Sequence, residues 1–249
     1  MLEVRNLSYK NILKNISFTV RKGTILGLAG KNGSGKTTLL RCIGGFLNCS
    51  GFILFNGIDL KRVLLRERVK KINYLPQVTE METSYTVLEF LISSIVPLKG
   101  IFAHHSKSDI EKIERILEKL QIPHLRDRSL QTLSGGERVK VFIARLLLID
   151  PEIYLFDEPG AFLDVEVLPF LVRIIEDLKA KGKIIILTSH DLNFLVDVAD
   201  EFLALKEGRI IFKGKKEKFI ENINFIFDAK LKIIKLNREI FIKPDIKEP

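Results

Sequence analysis

Apolar residues along this chain fall in short runs broken by turn-forming residues, and their spacing predicts an alternation of strands and helices. Leu2 to Leu7 and Ile16 to Val20 read as short strands, and Thr24 to Ala29 is a compact apolar run suited to a buried strand. A helix follows from Thr37 to Gly44. Ser50 to Asn56 is strand-like up to the turn signal Asn56-Gly57, and Ile72 to Leu75 forms another strand that stops at Pro76-Gln77.

Between Thr79 and Leu130 the pattern turns helical, with no convincing strand. Thr86-Val87-Leu88-Glu89 is a capping box, and Leu88, Leu91, Ile92 and Ile95 recur on one helical face. A second box, Ser108-Asp109-Ile110-Glu111, opens a helix that Pro123 shuts off. Farther on, a helix from Glu137 to Leu148 leads to the strand Ile153 to Phe156. Another from Asp164 to Lys181, ended by Gly182, leads to the strand Lys183 to Leu187. Phe202 to Lys206 and Arg209 to Phe212, joined by Glu207-Gly208, predict a hairpin, and Leu231 to Leu236 and Ile240 to Ile242 are further strand candidates. Strands alternating with helices imply an α/β fold around a parallel sheet.

The 249 residues, 46% hydrophobic and 29% charged, suffice for one full α/β domain with room for a subdomain, and exclude a disordered or fibrous chain. Cys42 and Cys49 fit no zinc or disulfide framework, so idle thiols in a reducing, cytosolic setting are expected. No secretory signal opens the sequence, and no run approaches the roughly eighteen apolar residues of a membrane span. If the protein serves a membrane, another chain is expected to do the spanning. The net charge of +9 suits nucleic acid, anionic lipid or an ATP-binding surface, and charge alone does not choose.

Candidate chemistry sits at three places. Gly30-Lys31-Asn32-Gly33-Ser34-Gly35-Lys36-Thr37, followed by Thr38, is a P-loop placed after an apolar strand and before a helix. Its glycines let backbone N–H groups turn inward around phosphate oxygens, Lys36 reaches the outer phosphates, and Thr37 would place its hydroxyl on magnesium. Gly30, Gly33 and Gly35 do not fit the G-x-G-x-x-G spacing of a dinucleotide fold. Asp157 and Glu158 end a predicted buried strand, where such a sheet presents its ligand groups. Asp157 would hold the magnesium shell, and Glu158 would orient or deprotonate the attacking water. Alone, Asp-Glu-Pro could merely end a strand at a turn.

The third place is Leu133-Ser134-Gly135-Gly136-Glu137, which offers free N–H groups, a hydroxyl and a helix dipole to an anion. Local sequence equally suits a serine N-cap with glycines that ease helix packing. One ATP can use both cradles only if they face each other across the ligand, and the symmetric solution is two copies arranged head to tail.

From about residue 2 to 214 these residues resemble the nucleotide-binding subunits of ABC transporters, with Walker A at Gly30 to Thr37, the Q-loop at Gln77, the signature at Leu133 to Glu137, Walker B at Ile153 to Asp157, and the switch at His190. The resemblance implies a RecA-like P-loop NTPase core over residues 1–212, with an N-terminal antiparallel β-subdomain and a helical subdomain inserted at about 79–135. It further implies Mg-ATP as the ligand, with Gln77 touching magnesium and the attacking water, His190 holding the γ-phosphate, and Glu158 activating water. Tyr9 would stack on adenine like the family's A-loop aromatic, unless it is a plain core tyrosine. Asp164 would belong to a D-loop that departs from the family pattern, reading Ala161-Phe162-Leu163-Asp164 after Gly160.

Partners implied are a second copy of the chain, transmembrane permease subunits and a substrate-binding protein, at the cytoplasmic face of the membrane and without nucleic acid. The stretches Tyr85-Thr86-Val87-Leu88-Glu89 and His190-Asp191-Leu192-Asn193 look most like importers of iron-siderophore, haem or cobalamin. Ser94-Ile95 departs from that subgroup, and other transporters or a soluble mechanical ABC ATPase are the alternatives. His104-His105 has no third ligand nearby and reads as a solvated pair. Residues 213–249 form a basic tail, with ten Lys or Arg against six Asp or Glu, expected as a solvated accessory hairpin or a lipid contact.

Overall fold

A computed structural model describes residues 1–77, 84–99, 106–161, 168–236 and 239–245. The first elements are β1 (Leu2–Tyr9), β2 (Leu13–Val20), β3 (Ile25–Ala29), α1 (Lys36–Gly44), β4 (Ser50–Phe55), β5 (Ile58–Asp59), α2 (Leu65–Val69) and β6 (Ile72–Leu75). Helices α3 (Val87–Lys99), α4 (Lys107–Lys119) and α5 (Gly135–Ile149) follow, then β7 (Ile153–Asp157), α6 (Leu168–Ala180), β8 (Ile184–Thr188) and α7 (Leu192–Val198). The chain closes with β9 (Glu201–Lys206), β10 (Arg209–Lys215), α8 (Lys216–Glu221), α9 (Ile223–Phe227), β11 (Leu231–Leu236) and β12 (Glu239–Pro244).

Two sheets carry the fold. One is antiparallel with order β2-β1-β4-β5; the other has order β10-β9-β3-β8-β7-β6 and is parallel except for the β9–β10 hairpin. The parallel strands read as unbroken apolar runs because both faces are covered. Their alternate residues divide between two cores. Leu26, Leu28, Ile153, Leu155, Ile184 and Ile186 face the antiparallel sheet and α1, whereas Tyr154, Phe156, Ile185 and Leu187 face the layer that includes α5, α6 and α7. Cys42 and Cys49 are free thiols buried in the first of these cores.

Several local expectations change. The helix expected behind a Ser108 box is instead capped by Ser106, whose amide and hydroxyl both reach Asp109 at 2.8 Å. The sequence Ser-Lys-Ser-Asp fits the box in two frames, and the earlier serine has the extended backbone that an N-cap needs. That helix ends at Lys119, and Pro123 opens a 3-10 turn (Pro123–Leu125) rather than closing the helix itself. The Thr86 box forms, with Glu89 Oε2 accepting from the Thr86 amide at 2.8 Å.

The basic tail is not a solvated appendage over its described length. Phe219 is fully buried and stacks on Phe202 at 4.2 Å, and Ile220, Ile223 and Ile226 enter the same core. The β11–β12 hairpin lies against α7 and buries Ile242. Asp164 and Phe162, and the His104-His105 pair, lie outside the described residues. Among the described residues, no helix is long and apolar enough to cross a membrane.

Candidate functional site

The parallel sheet gathers the candidate residues at one edge. Strands β3, β8, β7 and β6 are consecutive neighbours, and the P-loop, the Ser189-His190 turn, Glu158 and Gln77 each follow the carboxyl end of one of them. Ligand groups in open α/β sheets collect at that edge. A cleft of about 350 Å³ opens there, lined by Ile12, Asn32 to Thr38, Glu158 and His190.

The P-loop wraps on its glycines. Gly30, Gly33 and Gly35 adopt φ of 136°, 77° and 104°, and a Cβ on Gly30 would stand 2.3 Å from the Leu205 carbonyl oxygen. Only glycine tolerates that combination. Lys36 is buried, and its ammonium donates to the carbonyls of Gly30 at 2.7 Å and Lys31 at 3.1 Å. Burial pushes its pKa down from the ordinary lysine value, while the carboxylates of Glu158 and Asp157 work the other way. Ser34 Oγ is buried in the same loop with no hydrogen-bond partner among the described residues, so the loop holds polar capacity that a phosphate oxygen would satisfy.

Asp157, 1% exposed, is held by hydroxyls: Thr37 Oγ1 at 3.1 Å and Thr188 Oγ1 at 2.8 Å donate to Oδ1, and Tyr74 OH at 2.8 Å donates to Oδ2. Charge-assisted bonds of this kind offset the desolvation of a buried carboxylate. Burial, followed by the neighbouring Asp157, pushes the Tyr74 phenol up, so it stays a donor. Among the described residues no cluster of three or more His, Cys, Asp or Glu could hold a metal by itself. The hard oxygens of Asp157 and Thr37, 3.1 Å apart, suit magnesium, which takes one or two protein ligands and fills its shell with phosphate oxygens and water.

Glu158 has φ of 53°, a left-handed conformation that costs a side-chain-bearing residue on the order of 1 kcal/mol. Its amide donates to Thr188 Oγ1 at 2.9 Å, which holds the turn. Its carboxylate meets Gln77 Nε2 at 3.1 Å through one oxygen and His190 Nε2 at 2.5 Å through the other. Glu158 is 8% exposed in its side chain and His190 54%, so the carboxylate forms the floor and the imidazole the rim.

The other candidate residues stand apart. Tyr9 is half-buried at the end of β1 and does not line the cleft; the Ile12 amide, on the turn that follows, donates to its carbonyl at 3.0 Å, and Ile12 does line it. Ser134 caps α5: its hydroxyl accepts from the Glu137 amide at 3.2 Å, and its amide donates to Glu137 Oε2 at 2.8 Å. Ser134 and Gly135 are exposed, and none of Ser134, Gly135, Gly136 and Glu137 lines the cleft.

The family model described as "ABC transporter" matches residues 13–161. This chain belongs to the ABC transporter family. Across the ABC transporter family, an ATP-binding protein of Methanocaldococcus jannaschii is 36% identical over 88% of this chain and 86% of its own length. One of Clostridium tetani is 32% identical over 96% of this chain and 56% of that protein, so the chain spans about half the length of that relative. A solved inward-facing metal-chelate type ABC transporter superposes with a TM-score of 0.81 at 25% identity, over 97% of this chain and 95% of that one. The fold is the expected P-loop NTPase fold, and the ABC ATPase domain binds ATP with Mg2+ and hydrolyses it.

Thr188 and Tyr74 were missed by linear reading. Each touches Asp157 across the sheet, and the Thr188 signal was a hydroxyl residue ending an apolar run. Arg145 was missed too; it donates to the Tyr74 carbonyl at 2.8 Å and ties α5 to the end of β6.

Proposed function

We propose that this chain is the ATPase subunit of a membrane transporter, working as a pair of copies that close on Mg-ATP and open after hydrolysis. The unit responsible is residues 1–212 with the helical insert at about 79–135, and 213–249 is its tail. The observation that carries the reading is the convergence of Lys36, Thr37, Asp157, Glu158, Gln77 and His190 on one sheet edge, while Ser134 and Gly135 are exposed and Ser134 to Glu137 lie outside the cleft lining.

Lys36 and the inward N–H groups of Gly30 to Thr38 bind the phosphates. Asp157, Thr37 and Gln77 hold the magnesium, which when bound offsets the phosphate charge. Glu158 orients the attacking water and takes its proton, and His190, now on Glu158, turns to the γ-phosphate. Tyr9 stacks on adenine. Ser134, Gly135, Gly136 and Glu137 act on the ATP of the partner copy, and Asp164 crosses the same interface.

For substrate we infer import of an iron chelate, haem or cobalamin. Relatives named for hemin import in Chelativorans and petrobactin import in Bacillus subtilis support this, each 32% identical over 94% of the chain. Export is the second reading, supported by a lipopolysaccharide export protein of Haemophilus influenzae at 33% identity over 89%. Isolation from membranes tests the role: a permease is expected to copurify, and a soluble scaffold or nucleic acid as sole partner contradicts transport. Uptake of labelled siderophore, haem and cobalamin by cells with and without the chain separates import from export.

A further inference from the structure

The basic tail fastens to two elements that border the cleft, the start of the P-loop and α7. Asp228, at the end of α9, accepts from Lys31 of the P-loop at 3.2 Å and from Lys206 at 3.0 Å. Farther along, Asn193 and Ile242 form a closed pair: the Ile242 amide donates to Asn193 Oδ1 at 2.7 Å, and Asn193 Nδ2 donates to the Ile242 carbonyl at 3.3 Å. This side-chain amide reproduces the two-bond exchange of an antiparallel residue pair. Ile242 is 7% exposed, so its backbone groups depend on Asn193 for partners that water does not readily supply.

Asn193 lies three residues after His190, in the first turn of α7, and Asp191 caps that turn by accepting from the Asn193 and Phe194 amides at 2.9 and 3.2 Å. The opposite side of α7 rests on β3 without slack: a Cβ on Gly27 would stand 3.1 Å from Leu195 Cδ1. The helix is thus held between the P-loop strand and β12. At seven residues it is too short to be rigidly placed by its own hydrogen bonds.

We propose that Asn193 is a positioning residue for ATP hydrolysis: by tying β12 to α7 it fixes the turn that aims His190 at Glu158, so the tail sets the hydrolytic geometry. This rests on the role given to His190 above. A tail fastened there acts on the chemical step through His190, while Lys36 and the P-loop, which carry most of the phosphate contacts, are held by their own bonds.

The test is steady-state hydrolysis by the full chain with Asn193→Ala, Asn193→Asp and His190→Ala, alongside hydrogen exchange at the Ile242 amide. Asn193→Ala is expected to lower kcat about tenfold, a part of the roughly hundredfold that a 1 Å misplacement of a catalytic group can cost, with KM for ATP within about twofold. Asn193→Asp keeps the 2.7 Å acceptor, loses the 3.3 Å donor, and should fall between parent and Asn193→Ala. The Ile242 amide should exchange faster in Asn193→Ala. A parent-like kcat, a matching rise in KM, or an unchanged Ile242 exchange rate overturns the proposal. Should His190→Ala hydrolyse normally, the reading of the site fails instead; if it is inactive while Asn193→Ala is parent-like, only the positioning role falls.

Discussion

The starts of α1 and α5 look alike in sequence and behave oppositely in the structure. Each brings glycines and a hydroxyl to a helix N-terminus. At α1 the loop folds over a buried lysine, leaves Ser34 Oγ unsatisfied among the described residues, and faces the carboxylates of Asp157 and Glu158. At α5 the serine is exposed and already satisfied by Glu137, and no part of it reaches the cleft. An N-terminal dipole is common to both; what differs is enclosure, since electrostatic interactions strengthen where water is excluded. The first cradle is enclosed within its own chain, and the second lies open at the surface, which is the arrangement that the proposed pairing of two copies requires.

Changes on the enclosed side should have the largest effects. Glu158→Gln keeps the shape and the Gln77 contact but removes the base, so hydrolysis should drop about a hundredfold or more while a fluorescent ATP analogue still binds. Retained turnover would remove Glu158 from its assigned role. Next comes Thr188→Val, which is nearly isosteric yet strips the partner from the buried Glu158 amide and a donor from Asp157. A loss of about 1–3 kcal/mol is expected in chemical denaturation, with impaired turnover. No change in either would mean that these bonds do not hold the left-handed turn.

On the exposed side the intrachain effect should be small. Ser134→Ala removes one cap, worth about 1 kcal/mol in stability, and should leave ATP binding to the single chain unchanged. Weakened binding by the isolated chain would erase the contrast between the two cradles.

The contrast also marks what linear sequence reveals. The P-loop and Asp157-Glu158 were legible because strand-end position and residue chemistry coincide at each, whereas Gln77 and His190 came from the family resemblance, and the parallel sheet brings all of them to one edge. Thr188 and Tyr74 were not, because their roles depend on register: Thr188 pairs with Asp157 only once β8 lies beside β7. Short helices such as α2, α7, α8 and α9 escaped because five to seven residues scarcely complete two turns of apolar periodicity. The tail was misjudged for another reason. Its lysines dominate the composition, whereas Phe219, Ile223 and Ile242 decide where it packs.

The most direct test of the half-site account is gel filtration of Glu158→Gln with and without saturating Mg-ATP, beside the double variant Ser134→Ala/Glu158→Gln. The account predicts that Glu158→Gln elutes as a dimer only with ATP, and that the double variant binds ATP yet elutes as a monomer. A double variant that dimerises as well as Glu158→Gln, or a Glu158→Gln chain that stays monomeric with ATP bound, would contradict it.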